Sequence, residues 1–426
     1  MKKAICLYIL CFISTTILFS QESDEKKSIF QVSLVPPIGT NGRQDKDYTN
    51  YVSLNILVGR SQSEKILTLG GVANVIGHGA TGVQLAGLAN VIGIESNGVQ
   101  VAGLANVTGA YAKGIQLAGL ANVTGSGADG LQLAGLANVT GNHTRGIQIG
   151  GLANVTGNGI KGIQIAGLAN VNGNDARGLN IGGIANIVGT NGKGTLLAGI
   201  ANIATNYSGW KIAGIMNVTA NMHGVQLAGV MNRAGNIKGA QIAGVVNKAK
   251  KVEGVQVAGL VNIADESDYP IGLVNLIKNG EKSIGITYNE LGSTTVAFRS
   301  GGRVLYGIVG VGYNYRSVSK ESFVVEGGIG AHINIAPVFR INTEAKASYL
   351  SIFSKKQTSQ YSISIMPAYK FASNFEVFAG PSINYLYSDN PDNIDLFPNH
   401  DIWKEYKNND FKQVYLGFTV GVQYIL

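Results

Sequence analysis

The stretch Gly114-Ile115-Gln116-Leu117-Ala118-Gly119-Leu120-Ala121-Asn122-Val123-Thr124-Gly125 decides the fold, because the chain repeats it almost verbatim. Copies begin at Gly82, Gly98, Gly114, Gly130, Gly146, Gly162, Gly178 and Gly194, sixteen residues apart. They continue at Gly209, Gly224, Gly239 and Gly254, fifteen apart. A short fixed period means stacked, structurally equivalent units. Glycine is too frequent for helices, with 59 in 426 residues, and β-branched and Leu residues alternate within each copy. Each copy therefore reads as one coil of a β-solenoid, with two short strands and two corners. An antiparallel meander with one strand per copy is the rival. It would put successive linkers at opposite sheet ends, so odd and even copies should differ, and they do not.

Two polar rows follow from this registry. The first is the asparagine ladder Asn90, Asn106, Asn122, Asn138, Asn154, Asn170, Asn186 and Asn202, with Asn74 before it. Stacked amides hydrogen-bond from coil to coil and satisfy corner backbone groups, so a structural role is expected. The second is Gln84, Gln100, Gln116, Gln132, Gln148 and Gln164, each flanked by aliphatic residues. Placing those aliphatics inside turns the glutamines outward, as a solvated row or a flat face for sugars or a repeating polymer. Lys113, Arg145, Lys161, Arg177, Lys193 and Lys238 recur in the linkers and form a basic stripe. It suits lipopolysaccharide or another acidic surface polymer, or simply protects an edge. Asn-Val-Thr triplets such as Asn106-Val-Thr match a glycosylation sequon but read as by-products of the repeat.

The chemistry of an enzyme is not apparent. Between Gly82 and Asn262 the acids Glu95, Asp129, Asp175 and Glu253 lie in separate linkers, and His143 and His223 are isolated. No carboxylate pair converges on one bond, and no regular Asp marks calcium-binding coils. No catalytic, metal or cofactor site is assigned, no cofactor is expected, and nucleic acid is not an expected partner despite the net charge of +8. Lys2 and Lys3 followed by the apolar run Ala4–Phe19 read as a secretory signal over residues 1–20. Both cysteines, Cys6 and Cys11, lie within it.

After Asn275 longer alternating strands replace the repeat. Phe339, Ile341, Thr343, Ala345, Ala347 and Tyr349 share one face, while Arg340, Asn342, Glu344, Lys346 and Ser348 share the other. Charges on one side of an otherwise apolar strand suit a wet lumen and a lipid exterior. Eight such strands are expected, near 283–290, 293–300, 304–316, 323–335, 338–353, 360–371, 374–388 and 412–426, an antiparallel outer-membrane-type β-barrel. A soluble sandwich shows the same alternation. Tyr306, Tyr313, Tyr315, Tyr349, Tyr385, Tyr387 and Tyr415 are candidates for interfacial girdles, and His332 near Glu326 for an inner-face hydrogen-bonding group. Ile29–Pro36 and Tyr51–Val58 read as capping strands. The expected organisation is a signal (1–20), a disordered lead with a cap (21–65), an all-β solenoid of about thirteen coils (66–278) and the barrel (279–426).

The phrases Phe30-Gln-Val-Ser-Leu-Val-Pro-Pro-Ile-Gly-Thr-Asn41 and Tyr51-Val-Ser-Leu-Asn-Ile-Leu-Val-Gly59, with the Gly-x-Gln-x-Ala-Gly-Leu-x-Asn copies, resemble a family of surface-repeat proteins from diderm bacteria. The resemblance implies an envelope or surface location and supplies no site residues. The expected function is a non-enzymatic outer-membrane or cell-surface repeat protein for adhesion or envelope scaffolding, with outer-membrane lipid as partner. The alternatives are a barrel that handles small solutes or lipids, and a secreted carbohydrate-binding rod.

Overall fold

The computed structural model describes residues 26–302, 304–316, 322–350, 358–389, 397–407 and 410–426. The proposed export signal lies outside them. The chain forms a parallel β-solenoid of about fourteen coils followed by a closed antiparallel barrel of eight strands. It divides into two compact units, at Thr205 and Asn206.

In the first unit the coils from Ser63 to Gly182 are built alike. An eight-residue strand such as Tyr111–Ala118 leads through a two-residue bend to a four-residue strand, Ala121–Thr124. Each pairs in parallel with its equivalent sixteen residues on, so Gln116 lies beside Gln132 and Asn122 beside Asn138. Parallel pairing rules out the meander. The long strand is creased where the repeat begins, at glycines such as Gly114 (φ +110°) and Gly130 (φ +130°). There the backbone is left-handed and a Cβ on Gly130 would stand 2.1 Å from the Gly114 carbonyl oxygen of the coil before. Only glycine fits both conditions.

The lead is part of the same ladder rather than a separate cap. Lys26–Val35 pairs in parallel with Tyr48–Asn55, which pairs with Ser63–Gly70. Lys26 and Lys27, expected to be disordered, already lie in the first strand.

In the second unit, the coils through Met216–Ala228 and Met231–Ala243 repeat at fifteen residues. The last solenoid strand, Val274–Ile277, is followed by the barrel strands Lys282–Asn289, Ser293–Gly301, Leu305–Asn314, Phe323–Ala336, Phe339–Leu350, Thr358–Lys370, Phe375–Ser388 and Asp410–Ile425. Neighbours pair antiparallel, and Lys282–Asn289 pairs with Asp410–Ile425 to close the ring. Closure excludes the sandwich. One strand was not expected: Trp403–Lys407 forms a hairpin with the start of the last barrel strand, lengthening the wall where the short first strand has ended.

Coil and barrel are joined through backbone. Asn275 donates from its backbone N to Ser300 Oγ (2.9 Å) and from Nδ2 to the Ser300 carbonyl (3.1 Å). The last rung of the asparagine ladder is therefore tied to a barrel strand. Beside it, a Cβ on Gly307 would lie 2.0 Å from the Gly272 carbonyl oxygen, so the bare barrel backbone receives the final coil.

Candidate functional site

The solenoid interior is polar. Asn90, Asn106, Asn122, Asn138, Asn154, Asn170, Asn186 and Asn202 are fully buried. From Asn90 to Asn186 each Nδ2 donates to the next asparagine, as Asn122 does to Asn138 Oδ1 at 2.9 Å. The same Nδ2 reaches the Leu133 carbonyl, also at 2.9 Å. One amide thus bridges two coils and occupies a carbonyl, which is the structural role expected of the row. Asparagine buried in this way is also closed to glycosylation.

The glutamines are not an outward face. Gln84, Gln100, Gln116, Gln132, Gln148 and Gln164 are buried, at most 3% exposed. From Gln100 onward they run as an inner ladder: Gln132 Nε2 to Gln116 Oε1 is 2.7 Å, and Gln148 Nε2 to Gln132 Oε1 is 2.7 Å. Threonines from the short strand join it, with Thr140 Oγ1 donating to Gln132 Oε1 at 3.3 Å. No surface ligand reaches this row. The inward positions of a coil are Ala112, Gln116, Ala118, Asn122 and Thr124. Flat amides, threonines and alanines fill most of the coil, with larger apolar side chains such as Ile160, Leu196 and Ile237 at single positions. The aliphatic residues expected inside face out instead. Leu85, Ile115 and Leu133, each beside a glutamine, are 38%, 38% and 41% exposed.

Around each coil the exterior has two parts. Ile115, Leu117, Leu120 and Val123 form an apolar band, and Tyr111, Lys113 and Ser126 a mainly polar edge. Lys113, Arg145, Lys161, Arg177, Lys193 and Lys238 are exposed along that edge, as the sequence predicts. Asp129 pairs in register with Lys113 and Arg145, which breaks the stripe's single sign.

Two ionisable groups interrupt the neutral solenoid interior. Lys211 stands fifteen residues before Gln226, at the amide position of its coil, and is fully buried. It donates to the Val218 carbonyl (2.7 Å) and to Thr219 Oγ1, with the Tyr207 ring 6.0 Å away. Burial without an acidic partner among these contacts lowers its pKa to about 7. Near the other end, Glu64 is held by Asn50 Nδ2 (3.0 Å) and Ser53 Oγ (2.8 Å). Burial raises its pKa, and the hydrogen bonds offset only part of that.

The barrel lumen is polar too, but charged. Arg299 Nε donates to Glu344 at 2.7 Å, Tyr306 Oη reaches the same carboxylate at 3.1 Å, and Lys346 lies 3.5 Å from Glu326. Arg340 forks onto Glu281 with contacts of 3.0 and 2.6 Å. At the opposite mouth Glu290 accepts from Tyr415 Oη at 2.7 Å. The space among Thr295, Glu326, Lys346 and Thr419 is about 10 Å³, room for one water. His332 stacks on Tyr306 at 4.2 Å and meets Asn342 Oδ1 at 2.8 Å. Its acidic neighbour is Glu281 at 3.5 Å, whereas Glu326 is taken by Lys346 and Thr295.

Outside, Ile363, Ile383 and Leu416 are more than half exposed. Aromatic residues gather at both ends of this apolar wall. Tyr313 packs against Phe323, and Tyr361 against Tyr349 and Tyr385, at the end with the longer connections. Phe375 packs against Phe371 and Tyr424 at the tight-turn end. Tyr306 and Tyr415 do not belong to these girdles, since both point into the lumen and are buried. Their parity along the strand distinguishes them. Tyr415 alternates with the outward residues Val414 and Leu416, whereas Tyr385 and Tyr424 share the parity of outward neighbours.

No family model matches the chain, and no curated protein matches it. One solved chain, described as "De novo design of transmembrane beta-barrels", is similar at 14% identity, covering 34% of this chain and 93% of that one, with a TM-score of 0.20.

Proposed function

We propose that this protein is a non-enzymatic outer-membrane protein of a diderm bacterium, exported by its first twenty residues, with the barrel as anchor and the solenoid as an envelope scaffold. One observation carries the reading. The eight-stranded wall is apolar outside, bordered by aromatic residues at both ends, and closed around a charged lumen. Water outside would leave that wall unsatisfied, whereas lipid suits it. An eight-stranded barrel is filled by its own side chains. The ion pairs that fill this one favour an anchor over a solute channel. Burial of the glutamine row removes the expected sugar-binding face and favours scaffolding over adhesion.

The test is extraction of membranes from expressing cells. Alkaline carbonate should leave the protein in the pellet and detergent should release it in a form whose gel mobility changes on boiling, as a folded barrel's does. Release by carbonate alone would overturn the reading and support a secreted rod.

A further inference from the structure

Residues that face outward from a parallel solenoid normally meet water, and a water-soluble solenoid of this repeat would carry polar residues there. This one does the reverse along a continuous band. Ile115, Leu117, Leu120 and Val123 recur as aliphatic residues coil after coil in the first unit. In the second unit the corner row is Ile215, Val230, Val245, Leu260 and Leu273. Arg233 and Lys248 are exceptions in the adjoining row. Such a surface exceeds the roughly 300–600 Å² that is the largest apolar patch on a typical soluble monomer. In the second unit the band is covered at Leu273, which meets the barrel wall, while Ile215, Val230 and Leu260 are 44%, 44% and 50% exposed.

What would cover it is set by where the second unit's band ends. The last coil lies against the outer wall of the barrel. Gly307 receives its backbone, and a Cβ on Gly327 would touch Leu273 Cδ2 at 3.4 Å. Gly327 pairs with Val309 and Ala347, inside the strands rather than at their ends. The wall that Leu273 touches is the apolar belt itself, which continues through Ile329, Tyr361, Ile363 and Ile383 around the same groove. A coil packed on that belt sits at its depth in the bilayer, so the band and the belt share one solvent.

The polar edge has the complementary chemistry. In the second unit Lys238 and Ala240 are successive outward residues of one strand, about 7 Å apart. Bases of the edge therefore border the band and reach toward anionic headgroups while the aliphatics enter the acyl chains. The interior matches in part. Its asparagines bond to one another and to carbonyls, while unpartnered amide atoms remain at positions such as Gln84, Gln100, Asn172 and Gln256.

We infer that the apolar band of the second unit's coils is a lipid-contacting surface continuous with the barrel's belt, so that these coils lie partly immersed in the acyl chains of an anionic phospholipid leaflet. This rests on the barrel spanning a membrane, and the test separates the two. Trp210 stands in the band and is 54% exposed. The full chain carrying Trp403→Phe keeps it as the only tryptophan. Refolded into phosphatidylcholine–phosphatidylglycerol vesicles with brominated acyl chains, Trp210 should emit to the blue and lose at least half its fluorescence, and aqueous iodide should quench it weakly. A second variant, Trp210→Phe/Trp403→Phe/Ile363→Trp, places the probe on the barrel belt. Quenching by brominated chains at Ile363→Trp but not at Trp210 would overturn the inference and leave the anchor standing. A Trp210 shielded from both quenchers would overturn it in favour of a second copy on the band. Loss of quenching at both positions would sink both readings.

Discussion

Solenoid and barrel are both inverted proteins, polar within and apolar without, yet they satisfy their interiors differently. The solenoid uses neutral amides, each bonded to its copy in the next coil, as Asn122 is to Asn138. The barrel uses unlike charges from different strands, as in Arg299 with Glu344. The difference follows from symmetry. A parallel stack places identical residues side by side, and only a group that is both donor and acceptor can bond to its own copy; a row of identical charges would repel. Antiparallel barrel strands bring different residues together, so acids and bases can be matched. Removing one member should accordingly cost more in the barrel than in the solenoid.

The barrel gives the largest expected effect. Arg299→Ala removes the closer of two cations from Glu344, which is 1% exposed at its side chain and keeps Lys346 only at 3.7 Å. Breaking a buried pair this way costs about 3–5 kcal/mol, read as a lower urea midpoint for the barrel in detergent, with Trp403 as reporter. An Arg299→Ala barrel as stable as the parent would mean that the lumen is wet and its ion pairs screened.

In the solenoid, Asn138→Leu should cost about 2–3 kcal/mol, because it takes the coil-to-coil acceptor from Asn122 Nδ2 and the side-chain donor from the Ile149 carbonyl and Asn154 Oδ1. Gln132→Leu should cost less, about 1 kcal/mol. The row already contains an apolar residue: Leu196 stands in register with Asn180 and is buried. Equal losses for the two variants would show that the amide rows share one role, contrary to the contacts.

This comparison also explains what could be read from the chain. Period, parallel stacking, eight barrel strands and the structural asparagine row were legible, because repetition and alternation report backbone geometry directly. The inward side of each coil was not. Alternation gives two faces without saying which is inside, and placing Val83 and Leu85 inward assumes water outside. For the barrel strands Glu344 and Lys346, on one face of an otherwise apolar strand, demand the opposite assignment. The solenoid carries a subtler version of that signal. Alanine recurs at Ala112, Ala128 and Ala176, and at Ala118, Ala134 and Ala166, sharing the parity of the glutamines. Such small residues mark a narrow interior. The meeting of His332 with Glu281 was illegible for another reason: Glu281 precedes the first barrel strand, and only ring closure brings it there.

Lys211 places a barrel-like charge inside the amide interior, so it sharpens the contrast from the other direction. Lys211→Gln restores the residue type of the row and should stabilise the solenoid by about 2 kcal/mol at pH 7. The pH dependence has a definite sign. With the folded pKa near 7 and the ordinary value at 10.5, the unfolded chain holds the proton and the folded chain does not between those limits. Stability therefore rises with pH from about 7 to 10.5, and Lys211→Gln should remove that rise. An unchanged slope would place the ammonium in contact with water.

Glu64 is the smallest and most delicate case, a carboxylate within a neutral network of Asn50, Ser53 and Gln31. Its pKa lies above 4.5 in the folded chain, so the folded state retains a proton that the unfolded state has lost. The stability this contributes is present in full below about pH 4.5 and disappears as pH rises through the raised value. Glu64→Gln keeps an acceptor for Asn50 and Ser53 without the charge. It should leave stability unchanged at acid pH and gain about 1 kcal/mol at neutral pH, measured as urea midpoints at both pH values. A loss at neutral pH would mean that the carboxylate is ionised and held by Asn50 and Ser53, and that the solenoid interior tolerates a lone charge as readily as the barrel tolerates a paired one.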